Sequence, residues 1–378
     1  MENKRKASIV VNFLLNVIYV IVALSSICVF NRNSKGFPST FFITYHAGFL
    51  KRGFIGTCLY SISPSFGISP ILLTNYFIIV FALLNIGLLF YALWKSKLDW
   101  FILFSSFFIL NIYAYHIAFR LDLLMVPLFI LQMWILKSKR ISTSLKLIIT
   151  SLLMCLGVLI HEVYFVIVAF TFLFIVFSFL KIKNPFIYIL TFLPSGLLFV
   201  LFITLYKGNI DQVEIIIQSW RKFNISHEKL SYLKFLFGLK GPIYIWDNAA
   251  FIKTKYNYVG FLLNYIAVCT VFYFYLFYFF NLRTIKNTFF IFINFLLVLL
   301  LCFVATDFIR WYYLFFLLIL FYFLFFEEKK YKEKDNIYLI FKFMILFLGL
   351  PMYGWTMTHY YWTMPVKYLI DLKHFFNG

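Results

Sequence analysis

Uninterrupted apolar runs of about 20 residues recur along the whole chain, and ionisable residues fall almost only where those runs end. This pattern constrains the fold more than any motif does. Charge inside a bilayer costs several kcal/mol per group, so an ionisable residue that interrupts apolar sequence usually has a task. Composition points the same way. The chain is 63% hydrophobic and 24% aromatic, with a mean hydropathy of +0.92, well beyond the roughly half-apolar norm of soluble domains. The 54 Phe residues, with abundant Ile, Lys and Asn, read as the codon bias of an AT-rich genome rather than as aromatic chemistry.

A net charge of +20 suggests nucleic acid, but its distribution excludes that partner. Lys4, Arg5 and Lys6 precede the first apolar run. Lys95 and Lys97, then Lys137, Lys139, Arg140 and Lys146, then Lys181 and Lys183, then Arg283 and Lys286 occupy alternate short connections, as do Lys329, Lys330, Lys332 and Lys334. Basic residues on every second short loop place those loops in the cytoplasm. The chain then reads as an all-α, polytopic integral membrane protein of about eleven helices. The helices are placed over 8–30, 71–94, 100–119, 121–137, 145–160, 163–180, 185–206, 258–281, 288–306, 311–326 and 337–354. The N-terminus is cytoplasmic and the C-terminus external. The first run exceeds the usual 7–15 residue signal core and no A-x-A site follows it, so it reads as a retained anchor. Residues 1–378 form a single membrane domain, with a first external loop at 31–70 and a large one at 207–257 between helices 7 and 8.

This topology collects the unusual ionisable residues at the outer face. One turn carries His116, Arg120 and Asp122, a second His161 and Glu162, and a third Asp307, Arg310 and Trp311; His46, Lys51, Arg52 and His359 join them. The expectation is a single outward-facing cavity bordered by Arg120, Glu162 and Arg310. Arg120 and Asp122 can pair, either holding two hairpins together or orienting an arginine for bidentate phosphate contact. His116 shares a helical face with Arg120, a position equally suited to an interhelical hydrogen bond. Asp307 and Arg310 are spaced to pair on one face. Glu162 is the candidate general base, since partial burial raises a carboxylate pKa toward the working range; His161 and Asp122 are the alternatives. Trp311, Tyr312 and Tyr313 also fit an interfacial aromatic belt.

Two loops add to the picture. Around Lys51-Arg52, the glycines Gly48, Gly53 and Gly56 allow close backbone approach, either to a phosphate or to a neighbouring helix. An interfacial or re-entrant helix facing lipid headgroups fits the same residues. In the large loop, Val213, Ile215, Ile216, Trp220 and Phe223 alternate with Glu214, Arg221 and Lys222, as in a helix lying on a membrane surface.

Several chemistries drop out. Cys28, Cys58, Cys155, Cys269 and Cys302 have neither CxxC nor zinc spacing, and only a Cys28–Cys58 bridge stays open. No H-E-x-x-H, P-loop or Rossmann glycine pattern occurs, so neither metal nor cofactor is expected. Asn224-Ile-Ser226 fits a glycosylation sequon, a pattern short enough to arise by chance.

A phenylalanine-rich chain of this size, with about a dozen spans, a large late external loop and external Arg and His, resembles the Wzy-type O-antigen polymerases of bacterial polysaccharide assembly. The resemblance covers the architecture and carries no specific motif. It implies an enzyme of the bacterial inner membrane with a periplasmic site. Its substrates would be undecaprenyl-diphosphate-linked glycans, in contact with membrane lipids and a chain-length regulator protein. By role, the family's diphosphate-binding arginines would fall to Arg120, Arg310 and the Lys51-Arg52 pair. A membrane glycosyltransferase of the GT-C class, using a polyprenyl-phosphate sugar, ranks second. That class places an acid in the first external loop, and here no Asp or Glu lies between Glu2 and Asp99. A lipid-linked oligosaccharide flippase is the reading from another class; it calls for charge through the middle of the helices, where this sequence is apolar.

Overall fold

The computed structural model describes residues 39–96, 121–180, 185–225, 284–304 and 308–327, with isolated positions elsewhere. These residues are helical, apart from a two-residue ladder that pairs β1 (Met352–Tyr353) antiparallel with β2 (Tyr360–Tyr361). The chain groups into two compact units, residues 36–88 with 118–244 and residues 1–35 with 89–117 and 245–378.

Seven of the expected helices are present, with shifted ends: α2 (Pro70–Ser96), α3 (Asp122–Lys137), α4 (Thr143–Ile160), α5 (Val163–Ile175), α6 (Pro185–Thr204), α8 (Ile285–Val304) and α9 (Phe308–Phe326). Two further helices, α1 (Gly53–Ser65) and α7 (Ile210–Trp220), lie within the two segments read as external loops, where short membrane-surface helices were expected. The expected helices over 8–30, 100–119 and 337–354, and most of 258–281, lie outside the described residues. Met352 and Tyr353, placed at the end of the last expected helix, belong instead to β1. Two spans are long and apolar enough to cross a membrane, Thr143–Ile160 and Val163–Leu180, the second including the π-helical turn Val176–Leu180. Gly53–Ser65 with Pro70–Asn85, bent by 119°, makes a third if the pair is one span. Several shorter apolar helices accompany them, an architecture compatible with a membrane protein.

Within the first unit, α3 to α6 pack as neighbours. Short polar connections join α3 to α4 and α4 to α5, and Ser142 caps α4 by accepting from the Leu145 amide at 3.4 Å. Gly157 of α4 lies under the Tyr164 ring of α5; a methyl at Gly157 would overlap that ring. Small residues at such crossings let helices approach closely where lipid offers no hydrophobic drive. Tyr164 donates to Gln132 Oε1 at 2.6 Å, and Gln132 Nε2 donates to the Thr150 carbonyl at 3.2 Å. The bundle interior therefore carries a neutral polar link, a correction to the expectation of spans apolar at mid-depth. The partners satisfy one another, which removes most of the desolvation penalty.

A small cap sits on the end of this bundle where α4 stops and α5 starts. It consists of two 3-10 turns (Ser39–Phe42 and Tyr45–Ala47), α1 and α7. Asn209 and Gln212 form a reciprocal capping box that starts α7. Val213, Ile216, Ile217 and Trp220 on its apolar face are fully buried among Phe41, Phe42, Ile43, Leu50, Ile55 and Leu59. Burying each aliphatic side chain there is worth about 1.5–3 kcal/mol. Trp220 Nε1 donates to the Phe42 carbonyl at 2.7 Å. The amphipathic pattern at 210–220 was expected to face a membrane surface; the structure turns that face onto the protein. Leu121, Leu124 and Ile160 of the bundle join the same apolar cluster, so cap and bundle share one core.

The glycine-rich segment owes its composition to this packing. A Cβ on Gly56 would overlap the Ile43 carbonyl, and one on Gly53 would overlap the Tyr45 ring. Gly48 adopts φ 103°, a region that L residues rarely occupy. Of the two close approaches left open by the sequence, Gly53 and Gly56 make the one to neighbouring chain. Cys58 is a free thiol, which leaves no bridge to Cys28.

Candidate active site

The loop between α4 and α5 is two residues long, and both are ionisable. His161 leaves α4 in an extended conformation (φ −156°, ψ 119°), with its amide still bonded to the Gly157 carbonyl at 2.8 Å. Glu162 returns at once to helical angles and α5 begins. Because the turn is so short, neither side chain reaches open water, and both are buried.

The cap supplies the partner. Arg52, immediately before α1, has φ 65°, a left-handed conformation uncommon for a residue other than glycine. Its guanidinium lies against Glu162, with Nε donating to Oε2 at 2.9 Å and Nη2 to Oε1 at 2.5 Å. This planar two-bond fork is specific to arginine. It joins residues 110 positions apart and fixes the cap to the bundle.

That fork decides the protonation of Glu162. Burial by itself pushes its pKa up. Arg52 above all, with His161 and Lys51, outweighs burial and holds the carboxyl well below the usual carboxylate range. A carboxylate this stable is a poor proton acceptor near neutrality. The sequence reading of Glu162 as a base lifted by partial burial overlooked its cationic partner, and Glu162 instead orients Arg52.

His161 lies between two acids. Its Nε2 is 3.7 Å from Asp122 Oδ1 and its Nδ1 is 3.4 Å from Glu162 Oε2. The Val163 amide donates to Nδ1 at 3.3 Å, so in the neutral ring the proton resides on Nε2, facing Asp122. Asp122 begins α3 and is fully buried. The two ring nitrogens face different carboxylates, and the Val163 amide already occupies Nδ1, which leaves the Nε2 proton directed at Asp122.

Lys51 adds positive charge beside the fork. Its amide donates to the Tyr206 carbonyl at 3.0 Å, which ties the cap to the end of α6 and brings Lys207 near. Burial pushes the Lys51 pKa down; Glu162 opposes that, while Arg52 and Lys207 reinforce it. Lys207 carried a legible signal, a lysine directly after an apolar run at the expected outer face.

Of the residues expected at the site, the structure brings together Lys51, Arg52, Asp122, His161 and Glu162. His46 joins a different group: its Nδ1 is 3.0 Å from Thr44 Oγ1 and its ring packs on Tyr60, 3.9 Å between centroids. Lys222 Nζ lies 4.1 Å from the centroid of the same Tyr60 ring. Arg120, His116, Asp307 and His359 lie outside the described residues. Arg310 and Trp311 lie on the α9 backbone, and their side chains are outside what is described. Comparison with protein-family models, with curated proteins and with solved structures finds no match for this chain.

Proposed function

We propose that this protein is a membrane glycosyltransferase that joins polyprenyl-diphosphate-linked oligosaccharide units at the external face of a bacterial inner membrane, as polysaccharide polymerases do. The observation that carries the reading is the Lys51-Arg52 pair, held beside His161, Asp122 and Glu162 at one end of an apolar helical bundle. Fixed cations there suit a departing diphosphate, and the Asp122 carboxylate beside His161 suits an acceptor hydroxyl. The full reading keeps about eleven spans, an external site and a metal-independent reaction.

In this mechanism the acceptor hydroxyl oxygen attacks the anomeric carbon of the donor sugar. The bond from that carbon to the diphosphate breaks, and its electron pair leaves with the lipid diphosphate. Arg52 and Lys51 stabilise the negative charge that develops, an effect strongest where the donors are already fixed in place. The hydroxyl proton passes to Asp122, whose carboxylate His161 Nε2 faces. Glu162 is a positioning residue that keeps the Arg52 fork in place. Arg120 and Arg310 are the further arginines that the family resemblance would add.

The test uses Arg52→Lys and Lys51→Gln in cells that make a polymeric surface glycan. Both variants should leave single repeats in place of a ladder, at normal protein level, with lipid-linked repeats open to an external lectin in spheroplasts. Intermediates shielded on the cytoplasmic face would identify a flippase instead. A normal ladder from both variants would remove Lys51 and Arg52 as the diphosphate clamp.

A further inference from the structure

Beside the polar link inside the first unit lies one group that no protein atom satisfies. Thr150 of α4 is fully buried, and its Oγ1 has no hydrogen-bond partner among the described residues. Helix threonines ordinarily satisfy the hydroxyl locally, by donating to the carbonyl four residues earlier. Thr57, Thr74, Thr191 and Thr204 all do so here, at 2.7 or 2.8 Å. Thr150 has the same option in the Lys146 carbonyl and does not take it. Its hydroxyl is aimed elsewhere.

Its neighbour is polar and only half used. Gln132 Nε2 donates to the carbonyl of Thr150 itself at 3.2 Å, and Gln132 Oε1 accepts from the Tyr164 hydroxyl at 2.6 Å. A side-chain amide has two donor hydrogens and two acceptor lone pairs, and these bonds use one of each. One Gln132 hydrogen and one lone pair are left over, within a residue's length of a hydroxyl that can both donate and accept. Leu147 and Met154, buried on the same face of α4, supply no strong donor or acceptor from their side chains. An unmet hydroxyl in an apolar interior is costly. A water molecule is stable in such a place when two to four polar groups surround it.

We propose that Thr150 Oγ1 and the Gln132 amide form a binding site for one structural water inside the helical bundle, between α3 and α4. The water completes a hydrogen-bonded thread from α4 through α3 to the Tyr164 hydroxyl on α5. Tyr164 stands two residues beyond Glu162, so the thread holds the start of α5 and the turn that carries His161 and Glu162. The site is independent of the reaction that the protein performs.

The experiment uses the full chain in nanodiscs and two substitutions. Thr150→Val keeps the side-chain shape and removes the hydroxyl, and Thr150→Ser keeps the hydroxyl. With water bound, Thr150→Val leaves it a partner short, and the thermal midpoint read by circular dichroism should fall by about 2–4 °C. A hydroxyl that meets nothing makes valine the better residue, so an unchanged or raised midpoint would overturn the proposal. The second measurement reads the water itself. X-ray radiolysis converts a bound water into hydroxyl radical where it sits. Met154, fully buried one helical turn from Thr150, carries a readily oxidised sulfur on the same face. Brief irradiation should oxidise Met154 in the wild type and in Thr150→Ser, and Thr150→Val should lower that yield several-fold at equal dose. Met154 left unoxidised in the wild type, or oxidised equally in wild type and Thr150→Val, would overturn the proposal whatever the midpoints show.

Discussion

Replacing Arg52 by alanine should release the cap from the bundle. The substitution removes both bonds of the fork, at 2.9 and 2.5 Å, and leaves the buried Glu162 carboxylate without its main counter-charge. Removing one partner of a buried pair costs about 3–5 kcal/mol, because the remaining charge stays desolvated. Lys51 still attracts Glu162, which favours the lower end of that range. At roughly 2–4 °C per kcal/mol for a unit of this size, the midpoint of thermal unfolding should fall by on the order of 10 °C. Trp220, buried in the cap, gives a fluorescence signal for the purified protein in detergent.

The pH dependence has a fixed sign. In the wild type the folded pKa of Glu162 is depressed, so its stabilising contribution is present above the unfolded carboxylate value and is lost as pH falls through the folded one. In Arg52→Ala burial dominates, the carboxyl takes up a proton more readily, and the defect shrinks as pH is lowered from 7.5 toward 5. Arg52→Ala with Glu162→Gln should recover part of the loss at pH 7.5, because no buried charge remains. An Arg52→Ala midpoint within about 2 °C of wild type, or a defect that grows on acidification, would refute the reasoning that this pair anchors the cap.

Trp220→Phe keeps a ring in the cap core but removes the donor to the Phe42 carbonyl, and loss of that buried hydrogen bond should cost about 0.5–1.5 kcal/mol in thermal unfolding followed by circular dichroism. Gly56→Ala places a methyl against the Ile43 backbone carbonyl, which has no side-chain freedom with which to yield; size-exclusion profiles should show loss of monodisperse protein, whereas Gly87→Ala, in open space, should behave as wild type.

The sequence by itself determined the class and much of the helix plan. Apolar runs of fixed length and alternating basic loops are properties of the covalent chain that a bilayer reads directly, and α3 to α6 follow them closely. The polar turns were legible for the same reason, since charge beside apolar sequence is costly enough to stand out. His161, Glu162 and Asp122 were singled out that way, and helix reversal brings them to one end of the bundle.

Tertiary structure alone decided which partner each of these groups meets. Arg52 and Glu162 are 110 residues apart, and no local periodicity links them. Their fork reverses the expected protonation of Glu162, because burial and a neighbouring cation shift a carboxylate in opposite directions and only the fold sets their balance. Amphipathicity at 210–220 was equally plain in the sequence, but an apolar face has the same pattern whether lipid or protein covers it. Here the cap core covers it, through Trp220 and the Phe42 carbonyl. The glycines around Lys51-Arg52 announced a close approach without naming what approaches; that is the Ile43 backbone and the Tyr45 ring. Sequence fixes what each residue can do, and packing fixes which neighbour it does it with, because desolvation and Coulomb terms depend on distances that the chain sets only once it has folded.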